Sequence, residues 1–231
     1  MFVHVPSRHR LAPRWATPLL VLSTMAVFVW LVMLGGESER SAALLRWGTV
    51  SGALPASWPE WRDALLGGRV LSLVSALFVH AGWVHVLGNM LFLMIFGLQT
   101  ERAMGSSRFL LLFLIGGALA NLAAAALLDS PNRIIVGASG AVSAVIGAYL
   151  ALFPRASLGV VLPLGLYLQF VRAPASVLIG IWALLQGVFT FVGPAYGAVA
   201  WWAHLSGFAF GVVYALTCRP TVARRLREFR R

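Results

Sequence analysis

Six long apolar runs constrain the fold of this chain more than any other feature. Each contains 17 to 20 residues, close to the roughly 20 that a membrane-spanning helix needs. The runs are Trp15–Leu34, Val84–Thr100, Phe109–Leu128, Val136–Phe153, Ala175–Val192 and Val199–Thr217. Because lipid offers the backbone no hydrogen-bonding partners, spanning segments of this kind are helical. The sequence therefore predicts an all-α polytopic membrane protein with six transmembrane helices.

The runs also divide the chain into regions. These are a short N-terminal tail (1–14), a six-helix membrane domain (15–217) and a basic C-terminal tail (218–231). The first run is longer than the apolar part of a signal peptide and no clear cleavage site follows, so we interpret it as an uncleaved anchor. Leu65–Val79 is interrupted by two glycines and an arginine, and it belongs to a long first loop. Leu158–Phe170 is too short to span, so we expect it to lie against the inner membrane surface.

The distribution of arginine predicts the orientation in the membrane. All eighteen basic residues are Arg, and the net charge is +11. With the N-terminus inside, thirteen arginines face the cytoplasm and five face outward, as the positive-inside rule requires. No span carries a polar basic face, so we interpret the arginines as topology signals and contacts with anionic lipid headgroups, and exclude nucleic acid as a partner. We expect both termini to be cytoplasmic, in the inner (cytoplasmic) membrane of a bacterium.

Four polar side chains lie near one level of the predicted bundle. Spans two, four and six all begin at the outer face in this orientation. Near their starts they carry His85 and Asn89 (span two), Ser139 (span four) and His204 (span six). At a rise of 1.5 Å per residue, the last three lie about 5–10 Å below the helix ends. Since polar groups in lipid usually face the bundle interior and often mark function, we interpret the four as one site.

Small residues follow one face of span four and one face of span six. On span four Ser139 lies in line with Ser143 and Gly147, with the packing glycines Gly137 and Gly140 on either side of it, and on span six His204 lies in line with Gly207 and Gly211. Such stripes let two helix backbones approach closely in lipid. We therefore expect spans four and six to pack closely enough for the Ser139 hydroxyl to reach the His204 imidazole.

A serine hydroxyl beside an imidazole is the arrangement that nucleophilic catalysis requires. The hydroxyl becomes nucleophilic when an adjacent base takes its proton, and a neutral imidazole does this near physiological pH. His85, the Asn89 amide and the Ser139 backbone N–H would then supply donors to the oxyanion. No Asp or Glu lies within the spans at this depth. The sequence therefore predicts a Ser–His dyad without a carboxylate, and without a metal or other cofactor.

Other interpretations of the polar residues remain open at the level of sequence. Asn121 and Gln186 are more typical of hydrogen bonds that join helices, and His80 is more typical of an ordinary loop histidine. A Zn²⁺ ion held by His80, His85 and His204 is a rival to the dyad. The metal hypothesis is weaker, because the chain has no H-E-x-x-H and no carboxylate within the spans.

Four short motifs follow one another along the chain. In order they are His80-Ala-Gly-Trp-Val-His85-Val-Leu-Gly-Asn89-Met90, Glu101-Arg102 with Gly105, Gly137-Ala-Ser139-Gly140, and Ala203-His204 followed by Gly207 and Gly211. They resemble the H-x-x-x-N segment of the rhomboid proteases, the acidic–basic turn after it, the family's G-x-S-G and its final helix. The order and spacing agree over Val70–Leu216, which is most of the chain.

The resemblance implies an intramembrane serine endopeptidase that cleaves transmembrane segments of single-pass membrane proteins near the outer membrane face. It also implies that residues 193–199 cap a water-filled site and that span five borders a lateral opening. Two positions depart from the family pattern. Ser143 stands where an aromatic often packs against the catalytic histidine, and Ser72 stands where an Arg often occurs in the first loop. The alternative function is a non-catalytic binder or quality-control factor for transmembrane segments, which the presence of Ser139 and His204 disfavours.

Overall fold

The computed structural model describes residues 14–52, 57–128, 132–164, 167–192 and 200–228. Helices lie at all six spans that the sequence predicts. In chain order the helices are α1 (Ala16–Met33), α2 (Glu37–Trp47), α3 (Trp58–Leu66), α4 (Arg69–Ser75), α5 (Trp83–Phe92), α6 (Leu98–Met104), α7 (Ser106–Leu127), α8 (Ser139–Leu152), α9 (Ala175–Val192) and α10 (Trp201–Glu228). A single π-helical turn, Leu93–Gly97, joins α5 to α6 so that the two form one span. The predicted polytopic helical membrane fold is confirmed.

The spans differ in how much lipid they face. α1, the α5–α6 span, α7 and α9 are long and apolar enough to cross a membrane. α8 has 14 residues and is therefore about 21 Å long, shorter than a hydrocarbon core of roughly 30 Å. Ten of its 14 residues are buried, and it contacts α5, α6, α7, α9 and α10. The helix that begins at Ser139 is thus the centre of the bundle, surrounded mainly by protein.

Two small antiparallel sheets add to the predicted all-α architecture. Strand β1 (Thr49–Val50) in the first loop pairs with β2 (Ile134–Ile135), which directly precedes α8. Strands β3 (Ser157–Leu164) and β4 (Tyr167–Pro174) form a hairpin in which Ser157 opposes Pro174. This hairpin includes the segment that was predicted to be too short to span. Its two valines in succession and its aromatic residues favour strand over helix.

The last helix continues beyond the predicted end of span six. Span six is predicted to end at Thr217, and α10 runs through Pro220 to Glu228. The residues after the proline are mainly Ala, Arg and Leu, which are strong helix formers, and the proline removes only one intrahelical hydrogen bond. Most of the predicted basic tail is therefore helical. Residues 1–13 and the predicted cap at 193–199 lie outside the described residues.

A buried carboxylate joins the first three spans at one end. Glu101, near the end of α6, is only 1% exposed. Its Oε1 and Oε2 accept the backbone N–H groups of Ala16 and Thr17, each at 2.9 Å, and the Thr17 hydroxyl at 2.6 Å. The hydroxyl of Ser106, the first residue of α7, donates to Oε1 at 2.6 Å. The carboxylate thus satisfies N–H groups that the start of α1 leaves without partners, as an anion at a helix N-terminus does.

The small-residue faces of α8 and α10 meet each other. A Cβ added at Gly147 would collide with the Phe208 carbonyl oxygen, and a Cβ at Gly211 would collide with the Ala144 carbonyl oxygen. A Cβ at Gly207 would likewise meet the Gly140 carbonyl oxygen. The two backbones are therefore in direct contact over about two helical turns, and no larger residue fits between them.

Replacing Gly211 by alanine should lower the stability of the bundle. The new methyl group would separate α8 from α10, and overpacking of this kind destabilises by about 1–3 kcal/mol. Gly180→Ala is the matched control, because a Cβ on Gly180 in α9 meets no atom within 4 Å. We expect a lower midpoint of thermal unfolding in detergent for Gly211→Ala and an unchanged midpoint for Gly180→Ala. Equal midpoints for the two variants would contradict the close contact.

Candidate active site

The segment before α8 is fixed to the first loop and turns sharply into the helix. β2 leads to Gly137, whose N–H donates to the Ala76 carbonyl oxygen at 2.8 Å. The φ of Gly137 is +112°, a conformation that is accessible to glycine but not to residues with a Cβ. The helix therefore begins at Ser139, three residues after the predicted start of span four. Ser139 lies at the N-terminus of α8 rather than some way along it.

This position leaves the backbone of Ser139 available to a ligand. The first N–H groups of an α-helix have no carbonyl partner within that helix. The first hydrogen bond of α8 runs from the Val142 N–H to the Ala138 carbonyl oxygen, at 2.8 Å. The Ser139 N–H therefore precedes the hydrogen-bonded ladder of the helix. It has the chemical character of an oxyanion donor.

His80 connects the start of span two to the serine segment. Its ring is fully buried, with Nε2 3.0 Å from the Asn89 amide nitrogen and 3.2 Å from the Ala138 backbone nitrogen. Its Nδ1 lies 3.3 Å from the Phe78 carbonyl oxygen. These contacts fit one tautomer, in which Nδ1–H donates and Nε2 accepts from both nitrogens. Since its Nε2 lone pair is engaged in this way, His80 does not fit the role of a zinc ligand.

Burial keeps the His80 ring uncharged. Desolvation, and to a smaller extent the neighbouring His85 ring, lower the pKa of His80 to about 4. The ring centroids of the two histidines are 4.9 Å apart. A neutral His80 retains the acceptor that orients Asn89. One N–H of the Asn89 amide is used in this bond, and its second N–H remains for the site.

His85 lies directly against the turn that precedes the serine. A Cβ on Gly137 would be 2.5 Å from Cε1 and 2.6 Å from Nε2 of His85, and 3.6 Å from the Asn89 amide nitrogen. His85 and Asn89 are four residues apart on α5, so both face the same way, as the sequence predicts. The absence of a side chain at Gly137 is what lets both polar groups approach the start of α8.

His204 is held by residues from α9 and α10. Its Nδ1 is 2.7 Å from Oε1 of Gln186, and its ring stands perpendicular to that of Trp201 with centroids 5.9 Å apart. Trp201 in turn stacks on Phe189 of α9, at 4.9 Å. Ser143 stands four residues after Ser139, at the position where an aromatic ring could pack against His204. The Ser143 hydroxyl donates to the Ser139 carbonyl oxygen at 2.7 Å.

A cavity of about 440 Å³ lies between the predicted nucleophile and the predicted base. Ser139, His204, His85 and Gly137 all line it, whereas Asn89, which is 8% exposed, is not part of the lining. A larger cavity of about 560 Å³ lies in the first loop among α2, α3 and α4, and its lining contains no histidine. The smaller cavity is therefore the candidate active site. Its lining includes residues from the first turns of α5, α8 and α10.

Sequence reasoning did not assign three residues to this site. His80 was interpreted as a loop histidine, Gln186 as a contact between helices, and Trp201 was given no role. The spacing of His80 before His85 and Asn89 was the one available signal for the first of them. Nothing in the sequence indicates that Gln186 and Trp201 meet the same histidine, since that depends on how α9 packs against α10.

Comparison with known families identifies the fold. The Rhomboid domain family model matches residues 67–221, about two thirds of the chain. This chain belongs to the rhomboid family. The match covers every side chain of the candidate site, from His80 to His204, and it begins at Gly67, within the first loop.

Several curated proteins are similar in sequence to this rhomboid. It is 28% identical over 158 residues to "RHOMBOID-like protein 6, mitochondrial" of Arabidopsis thaliana, an alignment that covers 59% of this chain and 51% of that protein. It is 33% identical over 106 residues to the "Putative rhomboid protease YdcA" of Bacillus subtilis (42% and 53%). It is 30% identical over 138 residues to the "Rhomboid protease GluP" of the same organism (59% and 25%). The chain thus spans about half the length of these relatives, or less.

Gly137→Ala should disturb both the backbone and the His85 ring of this rhomboid. Backbone strain at such a φ amounts to about 1–3 kcal/mol, and the methyl group would meet the imidazole. Gly88→Ala is the matched control, because Gly88 lies on α5 and a Cβ there meets no atom within 4 Å. The midpoint of thermal unfolding should fall for Gly137→Ala and stay level or rise slightly for Gly88→Ala. An unchanged midpoint for Gly137→Ala would argue against the described turn.

Proposed function

We propose that this rhomboid is an intramembrane serine endopeptidase that cleaves transmembrane segments of single-pass membrane proteins. The observation that carries the proposal is the cavity lined by both Ser139 and His204, on two helices in backbone contact. The named proteases among its relatives support the same chemistry. Cleavage would proceed through an acyl-enzyme, with Ser139 as nucleophile and His204 as its base.

In the first step His204 would accept the proton of the Ser139 hydroxyl while the serine oxygen attacks the scissile carbonyl carbon. The new C–O bond forms as the carbonyl π electrons move to the oxygen. The resulting oxyanion would accept hydrogen bonds from the Ser139 N–H, the free N–H of Asn89 and the His85 ring. Preorganised donors of this kind often provide the largest single contribution to catalysis in acyl transfer.

In the second step protonated His204 would donate its proton to the leaving amine as the C–N bond breaks. Water would then attack the acyl-enzyme while His204 takes a proton from it. His204 would return this proton to the Ser139 oxygen as the ester bond breaks. These steps need a general base that starts neutral and ends neutral. They need no carboxylate, provided that another group fixes the tautomer of His204.

The site would face the outer side of the membrane. This part of the proposal rests on the thirteen arginines that face the cytoplasm when both termini are inside, against five on the other side. α5, α8 and α10 begin at the end of the bundle that this orientation turns outward. We extend the proposal to the inner (cytoplasmic) membrane of a bacterium and to contacts between the arginines and anionic lipid headgroups.

Labelling with a fluorophosphonate should identify Ser139 as an activated serine. We expect the wild-type protein in detergent to be labelled, and we expect Ser139→Ala and His204→Ala to lose labelling, because the first lacks the nucleophile and the second lacks the base. Ser143→Ala is the matched control, since its hydroxyl lies one turn along α8 and bonds only to the helix backbone. It should be labelled like the wild type. Mass spectrometry of the labelled peptide would verify the site.

Two results would count against the protease. One is a folded wild-type protein, with a cooperative unfolding transition, that resists both the fluorophosphonate and a second serine-directed probe. The other is labelling that persists in Ser139→Ala. The first result would favour the alternative function, a non-catalytic rhomboid that binds transmembrane segments. The second would show that the probe reacts with a residue other than Ser139.

A further inference from the structure

The hydrogen bond between Gln186 and His204 joins two different spans at the ring of the proposed base. Oε1 of Gln186 lies 2.7 Å from Nδ1 of His204. Gln186 is 8% exposed, so little competes with this bond for its side chain.

The chemistry of an amide oxygen fixes the tautomer of the ring. A side-chain amide oxygen has lone pairs and no hydrogen, so it can only accept. The ring nitrogen that faces it must therefore carry the hydrogen, which leaves Nε2 of His204 with its lone pair free. A base that takes a proton from serine needs that lone pair. An amide fills the same place in the Cys-His-Asn arrangement of papain-like proteases.

The buried amide of Asn121 differs from Gln186 in what it contacts. The Asn121 amide nitrogen donates to the Leu73 carbonyl oxygen at 2.9 Å, a contact that joins α7 to α4 through the backbone. Gln186 instead contacts the imidazole of a cavity-lining residue. The position four residues after Ser139, where an aromatic ring could support His204, holds a serine that bonds back to its own helix. Gln186 and Trp201 are therefore the residues shown to orient the His204 ring.

The packing of α9 directs the Gln186 side chain toward His204. The buried residues of α9 are Ala175, Ile179, Gln186 and Thr190. They are spaced by four, seven and four residues, which places them on one face of the helix. The rest of α9 is largely exposed and apolar, as expected for a surface in contact with lipid. Gln186 is thus on the one face of α9 that meets the bundle.

We propose that Gln186 is a positioning residue for catalysis, the third member of a Ser139–His204–Gln186 triad. It holds the Nδ1–H tautomer of His204 and remains hydrogen-bonded to the ring when Nε2 takes the serine proton. The inference rests on the proposed function, and it replaces the interpretation of Gln186 as a simple contact between helices. It also makes the base depend on α9, so that a displacement of this helix would remove the group that orients His204.

The experiment compares second-order rates of fluorophosphonate labelling among purified full-length variants, each expressed per mole of folded protein. Gln186→Met keeps the length of the side chain but removes the acceptor, and Gln186→Ala is a second variant without an acceptor should the first fold poorly. Gln186→Glu retains an oxygen that accepts from Nδ1–H. Thr190→Val is the matched control. It removes a buried hydroxyl on the same face of α9, and that hydroxyl donates to the backbone carbonyl oxygen of Gln186.

We expect labelling to slow by roughly 10- to 100-fold in Gln186→Met and Gln186→Ala, the effect of losing one well-placed hydrogen bond to a charged transition state. Gln186→Glu and Thr190→Val should stay within about fivefold of the wild type, since a carboxylate supports the imidazolium at least as well as an amide. Rescue by glutamate separates positioning from packing, because a packing role would be disturbed at least as much by a new carboxylate as by methionine.

The inference is overturned if folded Gln186→Met and Gln186→Ala label at the wild-type rate, or if folded Gln186→Glu labels as slowly as they do. In both cases His204-dependent labelling of the wild type would leave the proposed Ser–His chemistry in place. A folded wild-type protein that is not labelled at all would overturn the proposed function and, with it, the role of Gln186.

Discussion

The contact between α8 and α10 is the interaction on which the rest of the site depends. Ser139 is the first residue of α8, and His204 lies in the first turn of α10. Their side chains share a cavity only because glycines let the backbones of these helices touch below them. In lipid the association of helices relies on close packing rather than on the hydrophobic effect, so the loss of one such contact has no apolar compensation.

Around this contact, hydrogen bonds satisfy the backbone where the helices begin. Glu101 receives N–H groups at the start of α1, and His80 receives the Ala138 N–H just before α8. The Ser139 N–H follows immediately and precedes the helical ladder. A protein in lipid must pair its polar groups internally. The N–H groups in the first turn of α8, that of Ser139 among them, therefore stand at the cavity without a carbonyl partner in their own helix.

Family membership and local geometry support different parts of the functional argument. The rhomboid match gives the polytopic helical fold, and proteins of that family are generally serine proteases. The orientation of His204 in this chain comes from its own residues. Its contact with Gln186 depends on how α9 packs against α10, and the hydroxyl at position 143 bonds back to its own helix.

The sequence by itself determined the helical spans and the close contact of spans four and six, because apolar length and residue spacing act locally along a helix. It also predicted Ser139, His204, His85 and Asn89 as one site, and three of these four line the same cavity. Tertiary structure alone decided three other features. The start of α8 at Ser139 depends on the positive φ of Gly137, the partners of His80 come from two different segments, and the role of Gln186 depends on the packing of α9. Each joins residues distant in the chain, and helical periodicity carries no information about which partner a side chain meets on another helix.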